Sequence, residues 1–431
     1  MQDKSKVLII VPHQDDEINL AGNILRTLVR NNDVYVIFSS LDVHVERGKT
    51  RKEEAINSLA TYGIDVNKIE FFAFPDTPNE KASHFYSQNE NIVVKRFEEY
   101  IVKLLPTWII ATDFDFHSDH RMCSLAFETA MGNILKSKGD YRPVILKGFC
   151  YDTAFYGPED FTAYNNKRTA VKNELLANPS FEWEDRISIF GENIDGFMVF
   201  RPEYKALRMH KSQYAILHAK SIINADNVFW QRRSDNLAYS AKIEAGGNDY
   251  ERLRDFKMVD TTDIRTIDPR EIDYSKGIWN FDEDTCSICY RWEHKVLIDR
   301  INLYGNLNCN HMEDVDITIL VNDSITIKCS AIREFARKTA LTFSPIKTDY
   351  LKIIIVKGNQ FSGLSEIELL YGEQKLDNCY CKVKQTPRGS AYRDTIAKRV
   401  ICAVDQLIYS VVVIETKVVR KMKKIFRVAE S

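Results

Sequence analysis

The sequence predicts an α/β protein: a Rossmann-like, mostly parallel sheet with helices on both faces, then an all-β jelly-roll or sandwich, then a C-terminal helix. Three observations carry this. Up to about residue 255, short apolar runs alternate with amphipathic segments, the pattern of parallel strands covered on both faces. From about 260 to 373 the chain turns into closely spaced strand-like runs. From 391 apolar residues recur in alternating steps of three and four.

Taken in order, "KVLII" (6–10) reads as a strand and 17–30 as a helix. "DVYVIFSS" (33–40) is a strand, and 48–62 a helix closed by Gly63. "KIEFFAF" (68–74) is a strand, and a loop follows through "PDTPNEKASHF". Residues 90–104 read as a helix stopped by Pro106, 107–112 as a strand, and 119–137 as a helix. "PVILKGFCY" and "DGFMVF" read as further strands. The β-rich part contains "VLIDRINLYGN", "VDITILVND", "SITIKC", "YLKIIIVKGN" and "LSEIELLYG". The expected domains are therefore 1–257 and 258–373, a polar linker 374–390 with Pro387 and Gly389, and a helical tail 391–431.

Bulk properties narrow the function. At 431 residues the chain is too long for one ordinary domain. With 44% hydrophobic and 11% aromatic residues it can bury real cores. Lys+Arg 59 against Asp+Glu 61 gives a net charge of −2, which argues against a nucleic-acid binder. No run reaches the roughly 18 apolar residues of a membrane span. The start "MQDKSKVLII" lacks the pattern of a secretory leader, and nine cysteines read as reduced thiols. The expected location is the cytoplasm, with the inner face of the membrane as a second site of action.

The first strand runs into "PHQDDE", and the fourth into "ATDFDFHSDH". In an open parallel sheet ligands bind at the carboxyl ends of the strands, where the strand order reverses. With an order 3-2-1-4 these two charged ends are neighbours. Three N/O ligands with one open position suit a catalytic zinc. His13 and Asp16 share a tight turn, and His120 closes the triangle. Asp15 is then free to take a proton from water, and His117 to stabilise an oxyanion or protonate a leaving group. The competing reading is that Asp15 or Asp16 merely caps the helix from Glu17, and that "HSDH" is a second cap.

The paired motifs resemble the PIG-L/LmbE-like family of zinc-dependent N-acetylglucosamine deacetylases, which shows His-Pro-Asp-Asp-Glu and His-x-Asp-His. "RKEEAINSLATYGI" (51–64), "FFAFPDT" (71–77) and "KALRMHKSQ" (205–213) extend the resemblance over roughly residues 5–255. Gln14 and Ser118 stand where the family has proline, and neither removes a ligand. The resemblance implies zinc on His13, Asp16 and His120, Asp15 as base and His117 as acid or oxyanion stabiliser. It further implies that Asp119 orients a histidine, and that Arg51 and Asp76 contact sugar hydroxyls. The implied partner is an N-acetylated sugar or glycoconjugate. Two histidines and a carboxylate suit Fe2+ as well as Zn2+. Other classes stay open: a non-catalytic carbohydrate-binding scaffold, or an amidase on another N-acyl conjugate. His210 and Gln213 read as structural.

Remaining signals are weaker. The β-rich segment resembles a discoidin-type, galactose-binding-like sandwich, which implies carbohydrate binding or docking. "CSIC" (286–289) with Cys379 and Cys381 reads as buried free thiols rather than a zinc site, because i and i+3 face opposite sides of a strand. In the tail, Ala397, Val400, Val404, Leu407, Val411, Ile414 and Val418 form a seam, and Lys417, Arg420, Lys421, Lys423, Lys424 and Arg427 cluster behind it. That pattern fits a docked helix, self-association in a coiled coil, or peripheral contact with an anionic membrane.

Overall fold

A computed structural model of the protein describes residues 4–76, 82–113, 117–150, 187–191, 196–223, 226–257, 277–305, 312–321, 325–334, 338–357, 363–374 and 396–429. The first part is built from β1 (Ser5–Val11), α1 (Asp16–Asn31), β2 (Asn32–Asp42), α2 (Val45–Ala60) and β3 (Ile69–Asp76). It continues with α3 (Ala82–Leu104), β4 (Trp108–Thr112), α4 (Ser118–Ser137) and β5 (Val144–Gly148). Then come β6 (Ile187–Phe190), α5 (Pro202–Leu207), β7 (Asp226–Arg232) and β8 (Lys242–Ala245). The seven-stranded sheet has the order β3-β2-β1-β4-β5-β7-β6. Strands β1 to β5 run parallel, and β7 pairs antiparallel with both β5 and β6.

The continuous apolar strands have a packing cause. Side chains alternate across a strand. Ile9 sits beside Val36 and Ile110 in one core, while Leu8, Ile37 and Ile109 fill the core on the other face. Each such side chain contributes about 1.5–3 kcal/mol by leaving water. Both faces are therefore closed, and polar groups collect at the strand ends. The expected order 3-2-1-4 holds, so the ends of β1 and β4 lie side by side.

Two local expectations are corrected. The strand expected over "DGFMVF" is a 3-10 turn at Met198–Phe200. The Met198 N–H donates to the Asp405 carboxylate at 2.9 Å, so it has no sheet neighbour to pair with. Helix α3 starts at Ala82 rather than 90, with a break at Asn89, where φ is −135°. The polar first turns concealed it.

The second part is an antiparallel, sandwich-like region: β9 (Thr285–Gly305), β10 (Met312–Val321), β11 (Ile325–Glu334), β12 (Thr339–Lys357) and β13 (Leu364–Leu370). Its order is β11-β10-β12-β9-β13, and β8 adds to β9. β9 and β12 are long, and their register shifts between Thr342 and Ile346 and again between Thr348 and Tyr350. Such bulges bend strands and let them wrap a core, here containing Trp279, Tyr290, Ile301 and Ile353. Ala238, Ile243 and Leu253 enter the same core, so the stretch before residue 258 serves both units. Cys286 is buried and Cys289 half-buried, both free thiols; Cys379, Cys381 and residues 375–395 lie outside the described residues.

Helix α6 (Ile396–Ala429) returns to the first unit. Asp405 forms an ion pair with Arg201 at 3.1 Å, and the Tyr409 hydroxyl donates to the Leu217 carbonyl at 3.1 Å. Ile408 packs on the core beside β1. The seam does not face the protein: Val400, Leu407, Val411, Ile414 and Val418 are 52–67% exposed. The buried Asp405–Arg201 pair sets the helix rotation. Among the described residues no helix is long and apolar enough to cross a membrane.

Candidate active site

The turn from β1 to α1 carries His13, Asp15 and Asp16, and the N-terminus of α4 carries His117, Asp119 and His120. The parallel register brings them together. Asp16 Oδ2 lies 3.3 Å from both His13 Nδ1 and His120 Nε2, and accepts the His13 N–H at 2.9 Å. His13 Nε2 lies 3.1 Å from Asp119 Oδ2 and 3.4 Å from Asp76 Oδ2. Ligand atoms of His13, His117 and His120 fall within 4.8 Å of one another, as do those of His13, Asp76 and Asp119. His13, Asp16, Asp76, His117 and His120 line a cleft of about 230 Å³.

Burial and charge set the protonation states. Burial alone would lower the His13 pKa, but Asp119, Asp16 and Asp76 raise it to about 9. Burial would lift Asp16, yet His120 and His13 hold it well below the usual carboxylate range. Burial, with His120 and His13, pushes His117 down to about 2, so its imidazole is neutral. The Asp119 N–H donates to His117 Nδ1 at 3.2 Å, which leaves the His117 proton on Nε2. Asp15 is raised, first by burial and then by Asp16. A cavity with this donor set and this concentration of carboxylates fits a divalent cation.

Asp15 does not cap α1: its side chain makes no capping hydrogen bond, and its φ is 126°. Non-glycine residues are rarely found there, and such outliers gather at functional sites. Glu17 holds the turn in place. Its Oε2 accepts the Asp15 N–H at 2.8 Å, and its Oε1 accepts from Ser58 at 3.0 Å and meets His210 Nε2 at 2.8 Å. Arg51 and Asp76 are also at the cleft, paired with each other at 3.5 Å.

Sequence reasoning missed one contributor, His218, which lines the cleft. Of the two residues read as structural, His210 supports the site through Glu17, and Gln213 lines the cleft itself. A cue to His218 was present: it is one of only nine histidines and lies eight positions after His210.

The Glu17–His210 pair is fully buried on both sides. Removing one member strands a buried charge. His210→Ala is expected to destabilise the protein by about 3–5 kcal/mol, read from urea unfolding. A loss below about 1 kcal/mol would mean that Glu17 needs no partner.

A parallel sheet with a His/Asp cluster at its switch point defines the class: an α/β protein with a candidate metal-binding cleft. More specifically, residues 8–131 match the family PIG-L, GlcNAc-PI de-N-acetylase, and the match runs from β1 into α4 with every residue of both motifs inside it. The family is one of deacetylases. No curated protein matches the chain. Among solved structures, the family 32 carbohydrate-binding module of Clostridium perfringens NanJ in complex with galactose has 14% identity and a TM-score of 0.23, covering 30% of this chain and 93% of its own. A fucose-binding module of Streptococcus pneumoniae has 12% identity and a TM-score of 0.25, covering 32% and 98%. The 4-carboxy-2-hydroxymuconate hydratase GalB of Pseudomonas putida has 14% identity and a TM-score of 0.32, covering 53% and 95%. Likeness at this level fixes no activity.

Proposed function

We propose that the protein is a metal-dependent hydrolase that removes the N-acetyl group from a GlcNAc-containing sugar or glycoconjugate. The observation that carries this is Asp16 Oδ2 bridging His13 and His120 at 3.3 Å each, in a cleft also lined by Asp15 and His117. His13, Asp16 and His120 would hold Zn2+, or Fe2+, which supplies Lewis acidity toward the amide oxygen and toward water. Asp15 takes a proton from the attacking water, and its raised pKa brings it nearer the working pH of a base. The water oxygen adds to the amide carbon. His117 donates its Nε2–H toward the developing oxyanion. The C–N bond then breaks, the proton held by Asp15 leaves with the nitrogen, and the products are acetate and a free amine. Asp119 orients His13 from 3.1 Å, while Arg51 and Asp76 meet sugar hydroxyls.

Residues 1–257 would form the hydrolase unit and 258–373 a carbohydrate-docking sandwich. Residues 374–390 would link to the tail 391–431. The exposed seam and basic end of α6 suit peripheral contact with the inner face of the membrane, or self-association. The test is a screen of N-acetylated sugars for acetate release, with and without chelator. Release that chelator abolishes and Zn2+ restores is the expected result. Sugar binding without release from any substrate would instead favour a carbohydrate-binding scaffold.

A further inference from the structure

A second and larger cleft, of about 710 Å³, opens beside the first. The two share Arg51 and Gln213, so one ligand can reach both. Its volume suits a small organic ligand. Its charge does not suit a neutral one. Arg47 and Arg51 enter from α2, Lys211 from the segment after α5, and Arg420 and Lys423 from α6. Glu46 is the one carboxylate among the lining residues. Arg47 is paired with Asp42 and Arg51 with Asp76, whereas Lys211, Arg420 and Lys423 form no ion pair among the described residues.

A basic run on a helix is most often a solvated face. Here two of its exposed members reach the ring of a residue outside the helix. Arg420 and Lys423 both stand over the ring of Tyr214, at 5.6 and 5.9 Å from its centroid. Tyr214 has φ 57°, a left-handed conformation that a bulky residue rarely adopts, and it adjoins Gln213 at the junction of the two clefts. The wall is therefore assembled from three separated segments, with a distorted backbone at its centre.

We propose that this second cleft is an anion subsite that binds the diphosphate of a sugar-diphosphate substrate. The inference rests on the deacetylase reading for the position of the sugar. In a 2-acetamido sugar the amide and the anomeric oxygen are on adjacent ring carbons. With the amide beside Asp15, the anomeric substituent leaves through the space next to Arg51. A single phosphodiester carries one charge and would leave two of the three cations that have no ion pair unmatched. A diphosphate carries about two and spans from Arg51 toward Arg420 and Lys423, each oxygen taking a charge-assisted hydrogen bond. These α6 residues lie far outside residues 8–131, so the subsite would be this chain's own addition.

The shared chemistry has two sources, a nucleoside diphosphate sugar and a lipid-linked diphosphate sugar. The full-length protein is titrated calorimetrically with UDP and, separately, with farnesyl diphosphate. The wild type is compared with Arg420→Ala/Lys423→Ala and with the charge-keeping Arg420→Lys/Lys423→Arg. The expected result is binding of a diphosphate that the alanine pair weakens by about 10- to 100-fold and the charge-keeping pair restores. Dependence seen with UDP assigns a nucleotide, and dependence seen with farnesyl diphosphate alone assigns a lipid carrier. In kinetics, the ratio of kcat/KM for a diphosphate sugar to that for diacetylchitobiose falls by the same factor, through KM. Binding of neither compound, or binding indifferent to both variants, overturns the subsite. Cation-dependent diphosphate binding without acetate release from any sugar would sink the deacetylase reading and leave the subsite standing; acetate release without diphosphate binding would do the reverse.

Discussion

The wild type is expected to keep one divalent ion through dialysis, and His120→Ala to lose it. His120 is 1% exposed, and its Nε2 reaches the same Asp16 oxygen as His13 does. Alanine removes one of three proposed ligands and leaves Asp16 with a single imidazole. A second triad competes for the assignment: His13, Asp76 and Asp119 also converge within 4.8 Å. The two sets are separable. If the ion sits on His13, Asp16 and His120, metal analysis shows near-zero occupancy in His120→Ala and retention in Asp76→Asn. The opposite pattern would move the ion to the second triad and return Asp16 to the role of a buried helix-start acid. His120 lies in the well-packed start of α4, so circular dichroism should show that the fold persists.

How legible this was depended on sequence distance. Strands β1, β4 and β5 could be read because both their faces are buried, which makes each a short, mostly apolar run. The two halves of the site could be read because His13, Asp15 and Asp16 occupy one turn, His117, Asp119 and His120 another, and each follows a strand. What supports them could not. Glu17 meets Ser58 across 41 positions and His210 across 193. Nothing in the local pattern of "KALRMHKSQ" shows that His210 will be buried against a carboxylate from the first helix. The same holds for the tail. The steps of three and four from Val400 to Val418 show correctly that these residues share a face, but not where that face points. One buried ion pair, Arg201 with Asp405, turns it outward. The same carboxylate takes the Met198 N–H, so a segment with the composition of a strand forms a tight turn instead.

Asp15→Asn should separate catalysis from ion binding and from stability in one variant. Asparagine keeps the size of the side chain and tolerates the positive φ that Asp15 adopts. The ion should stay, because Asp15 is not among its proposed ligands. Without a proton acceptor, kcat should fall by about 10²–10⁴ at unchanged metal content. Stability should move the other way. Burial and the neighbouring Asp16 raise the Asp15 pKa in the folded protein. A carboxyl whose folded pKa is raised contributes stability below its unfolded pKa, and that contribution is lost as the pH rises through the folded pKa. Near neutral pH the charged form is therefore a burden on the fold, and its neutral amide counterpart lifts it. Urea unfolding at pH 7 should show Asp15→Asn at least as stable as the wild type, with the gap closing as the pH falls toward 4. A functional carboxylate held against its own stability is the pattern expected of an active-site group. If activity survives within a few fold, Asp15 is not the base; if activity and stability fall together, Asp15 supports the turn and the proton acceptor must be sought elsewhere in the cleft, with His218 the first to examine.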